Sequence, residues 1–423
     1  MRISTLQAFN NGVAGIQRNY SNATRTQEQI STGNRILTPA DDPVASVRLL
    51  QLEQQQNVLS QYNSNLTAAK SSLTQEEVTL NSVNTVLQRV RELAVQAGNG
   101  ALDPQDRKSI AAELGEREDE LLSLMNTRNA RGEYLFSGFQ GKTQPFVRAG
   151  DGSYSYQGDE GQRKLQIASS LGIPISDNGK SIFQNITDAG RLKSQPAASF
   201  PPGSTLAVSE PLVSDEIAFS GANGFPANGV QLQFNADGSY DIYELENGLP
   251  AAAPLADGTS LRMDGDSSKS DSLVFRGVTL QLDGAAIGTE AVNITPKPSG
   301  PSSTQQKQGI LDTIANLRSS LENPATGNGG VRDAVAVALT NLDHGMVSVD
   351  QARGNIGARL NVIETTQTDN EDVALVNKGV QAELRELDYA EALSRLSMQT
   401  VVLEAAQQSY VKIAGLSLFN VMR

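Results

Sequence analysis

Residues 44 to 97 contain neither glycine nor proline, and their apolar positions recur in alternating steps of three and four. Leu59, Tyr62, Leu66, Ala69, Leu73, Leu80, Val83, Leu87, Val90, Ala94 and Ala97 follow that register, and only Glu76 breaks it. At about 1.5 Å of rise per residue the stretch predicts one helix of roughly 80 Å, far longer than a globular domain usually holds. Such a helix must lay its stripe on other long helices, so the chain is confined to bundles and coiled coils. Asp42 as N-cap with Pro43 in the first helical position predicts the start, and Gly98-Asn99-Gly100 predicts the end.

Both chain ends carry a similar stripe. At the start it runs through Leu6, Phe9, Val13, Ile16, Tyr20, Ala23, Gln27 and Ile30; near the end it runs through Tyr389, Leu393, Leu396, Thr400, Leu403, Gln407, Tyr410 and Ala414. Each seam requires a partner helix, and the opposite end of the same chain is the nearest candidate. Gly12 and Gly15 weaken the first helix by about 1 kcal/mol each relative to alanine, and isolated helices are marginal in water. Residues 1 to about 40 and the last 40 or so are therefore expected to be disordered in a lone chain and helical once assembled.

Between the ends the period changes twice. A helix is expected from Asp103-Pro104 to Gly132 with Ile110, Leu114, Leu121 and Met125 buried, antiparallel to its predecessor because the connection is short. Period-two patterning then begins, with a hairpin from Phe146-Val147 through Gly150-Asp151-Gly152 to Tyr154 and Tyr156. From about 191 to 300 the chain is rich in Gly, Pro, Ser and Asp. There Val230, Leu232 and Phe234 turn through Asp237-Gly238 into Tyr240 and Ile242, and Val274 to Leu282 supplies further strand.

Helix returns at about 303 to 322 and, after Asn323-Pro324 and the glycines from 327 to 330, over the final hundred residues. The expected fold is α+β: an elongated antiparallel helical bundle or coiled coil built from both chain ends, with an all-β domain inserted mid-sequence. Its parts are an N-terminal assembly helix (1–40), a helical rod with a hairpin region (41–190), the outer β domain (191–300), returning helices (301–371) and a C-terminal assembly helix (372–423).

Composition removes whole classes of function. A net charge of -13 argues against nucleic acid, which needs a basic face. With no cysteine and His344 as the only histidine, thiol nucleophiles, thiolate metal sites and multi-histidine sites are excluded. No cofactor is expected. No segment has the length and apolarity of a membrane span or of a signal peptide, so membrane insertion is not expected, and any passage out of the cytoplasm proceeds without a cleaved signal.

The remaining polar clusters read as structural. Asp41 and Asp42 suit a metal in principle, but with Pro43 they form a helix start, and Arg35 stands within reach across the turn. The run from Asp264 to Ser268 has the flavour of a calcium loop, yet Lys269 stands where glycine is needed and Phe275 where the bidentate glutamate belongs. The carboxylates from Glu113 to Glu120 read as a solvated helix face rather than a catalytic pair. His344, beside Asp343, has no second histidine to form a ligand set.

Gln29-Ile30-Ser31-Thr32-Gly33-Asn34-Arg35-Ile36-Leu37, followed by Ala40-Asp41-Asp42-Pro43, resembles the N-terminal signature of the flagellin family. Leu387-Asp388-Tyr389-Ala390-Glu391-Ala392 resembles that family's C-terminal signature. The resemblance covers roughly 1 to 165 and 335 to 423, with Thr32 in place of a more usual serine. Met1-Arg2-Ile3-Ser4-Thr5, the segment from Gly132 to Gly138 and the hairpin end from Tyr156 to Gly161 resemble the hook–filament junction branch more than filament subunits.

The resemblance implies a non-enzymatic structural subunit, exported by the flagellar type III apparatus and located outside the cell at the hook–filament junction. Its implied partners are the hook-side junction protein (hook-associated protein 1), flagellin filament subunits, copies of itself and a cytoplasmic export chaperone. Leu6, Phe9, Val13, Ile16, Leu396, Leu403 and Tyr410 are the expected assembly interface, and Arg35, Asp41, Asp42 and Pro43 the expected turn and helix cap. The rival readings are a filament-forming flagellin, and an adhesin that acts through β-domain aromatics such as Tyr240 and Tyr243. A secreted hydrolase would need residues not found here, since even the His-Glu-x-x-His of protease-bearing flagellins is missing.

Overall fold

The computed structural model describes residues 2–259, 261–263, 270–297, 306–323 and 327–421; the side chains of 2–6, 8, 327, 328 and 413–421 are outside the description. The calcium-like run from Asp264 to Lys269 and the expected break at Pro324 therefore fall outside the described residues. Among the described residues the helices are α1 (Arg2–Thr32), α2 (Pro43–Ala97), α3 (Pro104–Met125), α4 (Glu216–Ser220), α5 (Ile310–Glu322), α6 (Gly327–Arg385) and α7 (Tyr389–Val421). The chain is α+β, with helices at both ends and an antiparallel β region between them.

Contacts divide it into two units. One comprises Met1–Leu66, Ile167–Ser170 and Glu364–Arg423; the other comprises Thr67–Gln166 and Leu171–Ile363.

In the first unit α1 lies along α7 in opposite directions: Phe9 and Gly12 meet Tyr410, whereas Gly33 meets Tyr389. Both ends are thus helical in the single chain, which corrects the expectation of disorder. The early turns of α2 and the late turns of α6 also belong to this unit, where the buried Asn370 donates to Asn63 Oδ1 and to the Ile167 carbonyl, each at 3.4 Å.

In the second unit the α2 register is buried through Ala69, Leu73, Leu80, Val83, Leu87, Val90, Ala94 and Ala97. The α3 helix runs antiparallel to α2, since Gln75 reaches the Arg128 carbonyl while Arg89 reaches Glu113. The α6 helix does likewise, with Asn84 bonded to Asp350 and Arg91 to Asp343. The α3 start uses its expected cap, Asp103 accepting from the Asp106 N–H at 2.7 Å. The α5 helix begins later than its sequence pattern suggests. Lys307–Gln308 pair as strand with Ile186–Thr187, and Gly309 is the cap before Ile310.

The hairpin pairs Phe146–Arg148 with Tyr154–Tyr156. Phe136, Phe146 and Phe183 pack around it with ring centroids 5.2 and 5.8 Å apart, near edge-on. Val230–Phe234 lies between Ser239–Glu246 and Ala291–Pro296, and Leu192–Pro196 adds to the far side. A second antiparallel pair, Asp271–Phe275 and Val278–Asp283, turns on Arg276 and Gly277. Both have positive φ, 45° and 78°, as a two-residue hairpin loop of this hand demands. Val230, Leu232, Ile242, Leu273, Leu280, Val292 and Ile294 form the common apolar core. This core is tied to α6 by Ala189 N–H on Asn341 at 2.7 Å, Glu210 N–H on Asp333 at 2.9 Å and the Arg332–Asp283 ion pair.

Candidate assembly interface

The two segments that carry the family resemblance, about 350 residues apart in sequence, form one joint. The α1 helix ends at Thr32, and Gly33 takes a φ of +69°, which reverses the chain at little cost for a residue without Cβ. The extended residues that follow pair with the link between α6 and α7. Asn34 bridges Glu386, the Arg35 N–H donates to the Arg385 carbonyl at 2.8 Å, and the Leu387 N–H donates to the Gly33 carbonyl at 3.0 Å. Side chains reinforce this: Arg385 Nε donates to Asn34 Oδ1 at 2.9 Å and Arg35 Nη2 to the Leu384 carbonyl at 3.1 Å.

The acidic pair has separate tasks. Asp41 closes the 37–41 turn by accepting from the N–H groups of Leu37 and Thr38 at 2.9 and 3.0 Å, and it pairs with Arg25. Asp42 caps α2 by accepting from the Ala45 N–H at 3.0 Å, with Pro43 next to it in the first helical position. Arg35 lies 3.8 Å from Asp42, at the limit of an ion pair, so its bonds to backbone carry more of its role. On the other side Asp388 caps α7 by accepting from the Ala390 N–H at 2.9 Å.

Beyond the joint, α1 and α7 each cover only one flank of their apolar seam. On α1 the covered line passes through Gly12, Ile16, Asn19, Ala23, Thr26 and Ile30, while Phe9, Tyr20 and Gln27 face outward. On α7 it passes through Ala392, Leu396, Gln399, Leu403, Ala406 and Tyr410, while Tyr389, Leu393 and Thr400 face outward. Ile16, Leu396, Leu403 and Tyr410 thus sit on the covered lines, Val13 is half-buried beside one, and Phe9 is half-exposed. The Leu6 side chain lies outside the described residues. Outward-facing apolar residues are numerous: Tyr20 is 64% exposed, Leu393 54%, Val401 62% and Val411 68%. A heptad specifies a stripe, but a single partner covers only one side of it, and so half of each seam is left over.

Asn34, Arg385, Glu386 and Leu387 as joint partners escaped sequence reasoning. The helix-stop glycine at 33 is a usable signal and the matching seams point to the opposite end of the chain, but no pattern specifies the residues at which the two segments pair. The charged residues of α3 need correction, because Glu118 is not on a solvated face. It is 1% exposed and accepts from the Tyr154 hydroxyl at 2.5 Å and from Arg318 Nε at 2.9 Å, with Arg148 3.3 Å away. Tyr240 lies in the β core and cannot meet a surface, while Tyr243 is partly exposed. His344 Nδ1 lies 3.1 Å from the Thr187 carbonyl. Among the described residues no group of three or more His, Asp or Glu side chains is placed to hold a metal, and no helix is long and apolar enough to cross a membrane.

Residues 3–141 match the family model for the bacterial flagellin N-terminal helical region. Flagellar hook-associated protein 3 of Salmonella typhimurium is 24% identical over 427 residues, with the whole of both chains aligned. Its Escherichia coli counterpart is 25% identical over 424 residues, again covering both chains fully. The crystal structure of flagellar hook-associated protein 3 from Legionella pneumophila superposes with a TM-score of 0.62 at 26% identity, covering 79% of this chain and 98% of that one. The chain is thus similar over its whole length to flagellar hook-associated protein 3, and in residues 3–141 to the helical region at the start of bacterial flagellins.

Proposed function

We propose that this chain is a structural subunit of the bacterial flagellum that forms the junction between hook and filament. The observation that carries this reading is the leftover apolar flank on both terminal helices. Each side chain of that size left in water forgoes about 1.5–3 kcal/mol of burial, so a face of this kind is suited to further copies and neighbouring subunits. Full-length similarity to hook-associated protein 3 of two species supports the junction position.

In this reading 1–40 and 372–423 are the assembly helices, and Leu6, Phe9, Val13, Ile16, Leu396, Leu403 and Tyr410 pack the inner layer. Segments 41–190 and 301–371 form a surrounding layer, and 191–300 faces outward. The subunit does its work outside the cell without catalysis, having been exported by the flagellar type III apparatus with a cytoplasmic chaperone holding it beforehand. The hook-side junction protein and flagellin are its neighbours. A filament-forming role is the alternative, favoured by the match of residues 3–141 to a region that flagellins share and by flagellins that align at 23–24% identity over most of the chain.

Leu393→Asp and Val401→Asp place charge on the leftover flank and leave the covered line intact. Both chains should fold and be exported while junctions fail and cells lose motility. Normal junctions and motility in both variants would refute the reading.

A further inference from the structure

Glu76 is the sole interruption of the α2 stripe, and its surroundings give it a task. Its side chain is 1% exposed, and its Oε1 accepts the Asp177 N–H at 3.1 Å. Asp177 is buried as well, but it is well supplied with donors. Arg359 binds it in a fork at 2.9 and 3.0 Å, and Gln162 Nε2 donates to it at 2.6 Å. The two carboxyl groups are therefore unequal. Asp177 is forked by the Arg359 guanidinium, whereas Glu76 has a single backbone donor and, among the described residues, no ion pair.

The charged groups facing Glu76 come from each element around it. They are Asp177 in the 175–179 link, Arg359 from α6, and Arg163 from the neighbouring strand approach. Arg359 is engaged by Asp177, and Arg163 by Glu133 at 2.6 Å. Each is therefore shared with another carboxylate, and their attraction for Glu76 is outweighed. Burial first, and then the adjacent Asp177 charge, push Glu76 up to about 8.

The link that Glu76 holds is closely fitted. The Gly179 N–H donates to the Phe136 carbonyl at 2.8 Å, and a Cβ at Gly179 would stand 2.7 Å from the Phe146 ring. Asn178, just before the five-residue π turn Lys180–Gln184, accepts from the Ser181 N–H at 2.9 Å, and Ser348 of α6 donates to the Ile182 carbonyl at 2.9 Å. A shift of Asp177 is thus passed to the turn and to its seat on α6.

We propose that Glu76 is a protonation latch: its neutral carboxyl, buried against the Asp177 N–H, docks residues 175–179 against α2 and α6, and its ionisation favours their undocking. Between the ordinary carboxyl value of 4.5 and the docked value of about 8 the docked form binds one more proton than the undocked form, so docking is strongest below 4.5, weakens as pH rises toward 8 and levels off above it. Glutamine at 76 fixes the docked form.

Hydrogen-exchange mass spectrometry on the full chain from pH 6.5 to 9.5, corrected for the intrinsic exchange rate, tests this. Peptides covering 171–185 should lose protection by up to about tenfold per pH unit from pH 6.5 to about 8 and level off above that in the wild type. In Glu76→Gln they should hold constant protection, with the strand 230–234 unchanged in both. Equal alkaline loss in the variant and the wild type would overturn the latch. Glutamate carboxyl 13C resonances of the wild type give a second readout that needs no variant. A carboxyl that titrates near pH 8 supports the latch, and titration of every glutamate below pH 6 overturns it.

Discussion

The ring of Phe9 meets the ring of Tyr410 with centroids 5.1 Å apart and planes inclined by 50°, joining the two ends of the chain. The geometry is that of a favourable tilted aromatic pair, contributing about 0.5–1.5 kcal/mol beyond area burial. Phe9 nevertheless remains half exposed. A double-mutant cycle of Phe9→Ala and Tyr410→Ala should show coupling of about 1 kcal/mol in the opening of the α1–α7 pair, read by amide exchange. Strict additivity would show that the contact contributes nothing.

The same shallow pairing predicts unequal stability along the chain. Amides of α1 and α7 in the free monomer should exchange through low-energy opening, well before those of Val230–Phe234 in the β core. Assembly should raise their protection at least about a hundredfold, since the leftover flank is then covered. Terminal amides as protected in the monomer as the β core would contradict this.

At the joint, Gly33→Ala meets two obstacles of different size. The new methyl would stand 2.9 Å from the Tyr389 hydroxyl, but Tyr389 is half exposed and can swing away. The φ of +69° is the larger obstacle, costing an L-residue about 1–2 kcal/mol. Gly33→Asn should cost less than Gly33→Ala, because asparagine tolerates this backbone region. Exchange at the Leu387 N–H, bonded to the Gly33 carbonyl, reports the difference.

Glu118 should be among the most sensitive positions of its unit. Its carboxylate serves the Tyr154 hydroxyl and the Arg318 guanidinium inside the α3–α5 contact, with Arg148 near its rim. Glu118→Ala strands a partly buried cation and a buried hydroxyl, at a cost of about 3–5 kcal/mol. Tyr154→Phe removes one charge-assisted bond and should cost about 1.5–3 kcal/mol. Urea unfolding midpoints decide this, and a Glu118→Ala effect below that of Tyr154→Phe would contradict it.

Acid should loosen the β region through Glu290. Burial alone would raise its carboxyl, but the Ser204 hydroxyl and the N–H groups of Ile287 and Thr289 outweigh burial and hold it near 2. A depressed value means that the ionised form favours the folded state, so this stabilisation is full above the unfolded value and is lost as pH falls from about 4.5 toward 2. The loss should reach about 3 kcal/mol, and Glu290→Gln should abolish that part of the acid dependence. An acid profile unaltered by the variant would contradict it.

The long helices were legible because period and punctuation agreed: α2 has an unbroken apolar register between Asp42-Pro43 and Gly98, and α3 has its Asp103-Pro104 start. The choice of flank was not legible. Tyr20 and Gln27 fit the α1 heptad as well as Asn19 and Thr26 do, and only contact with α7 decides which pair is covered. Burial of Glu118 was equally hidden, because its partners Tyr154 and Arg318 come from distant segments and a charged helix position looks solvated by itself. The disorder expected at the ends followed from weak local helix propensity, which the α1–α7 contact offsets.

Localisation of the chain along isolated flagella, by immunogold labelling of an epitope in the exposed turn near Gly248, tests the junction role most directly. The label should form one narrow band where hook meets filament. Label distributed along the filament would contradict it and identify a filament subunit instead.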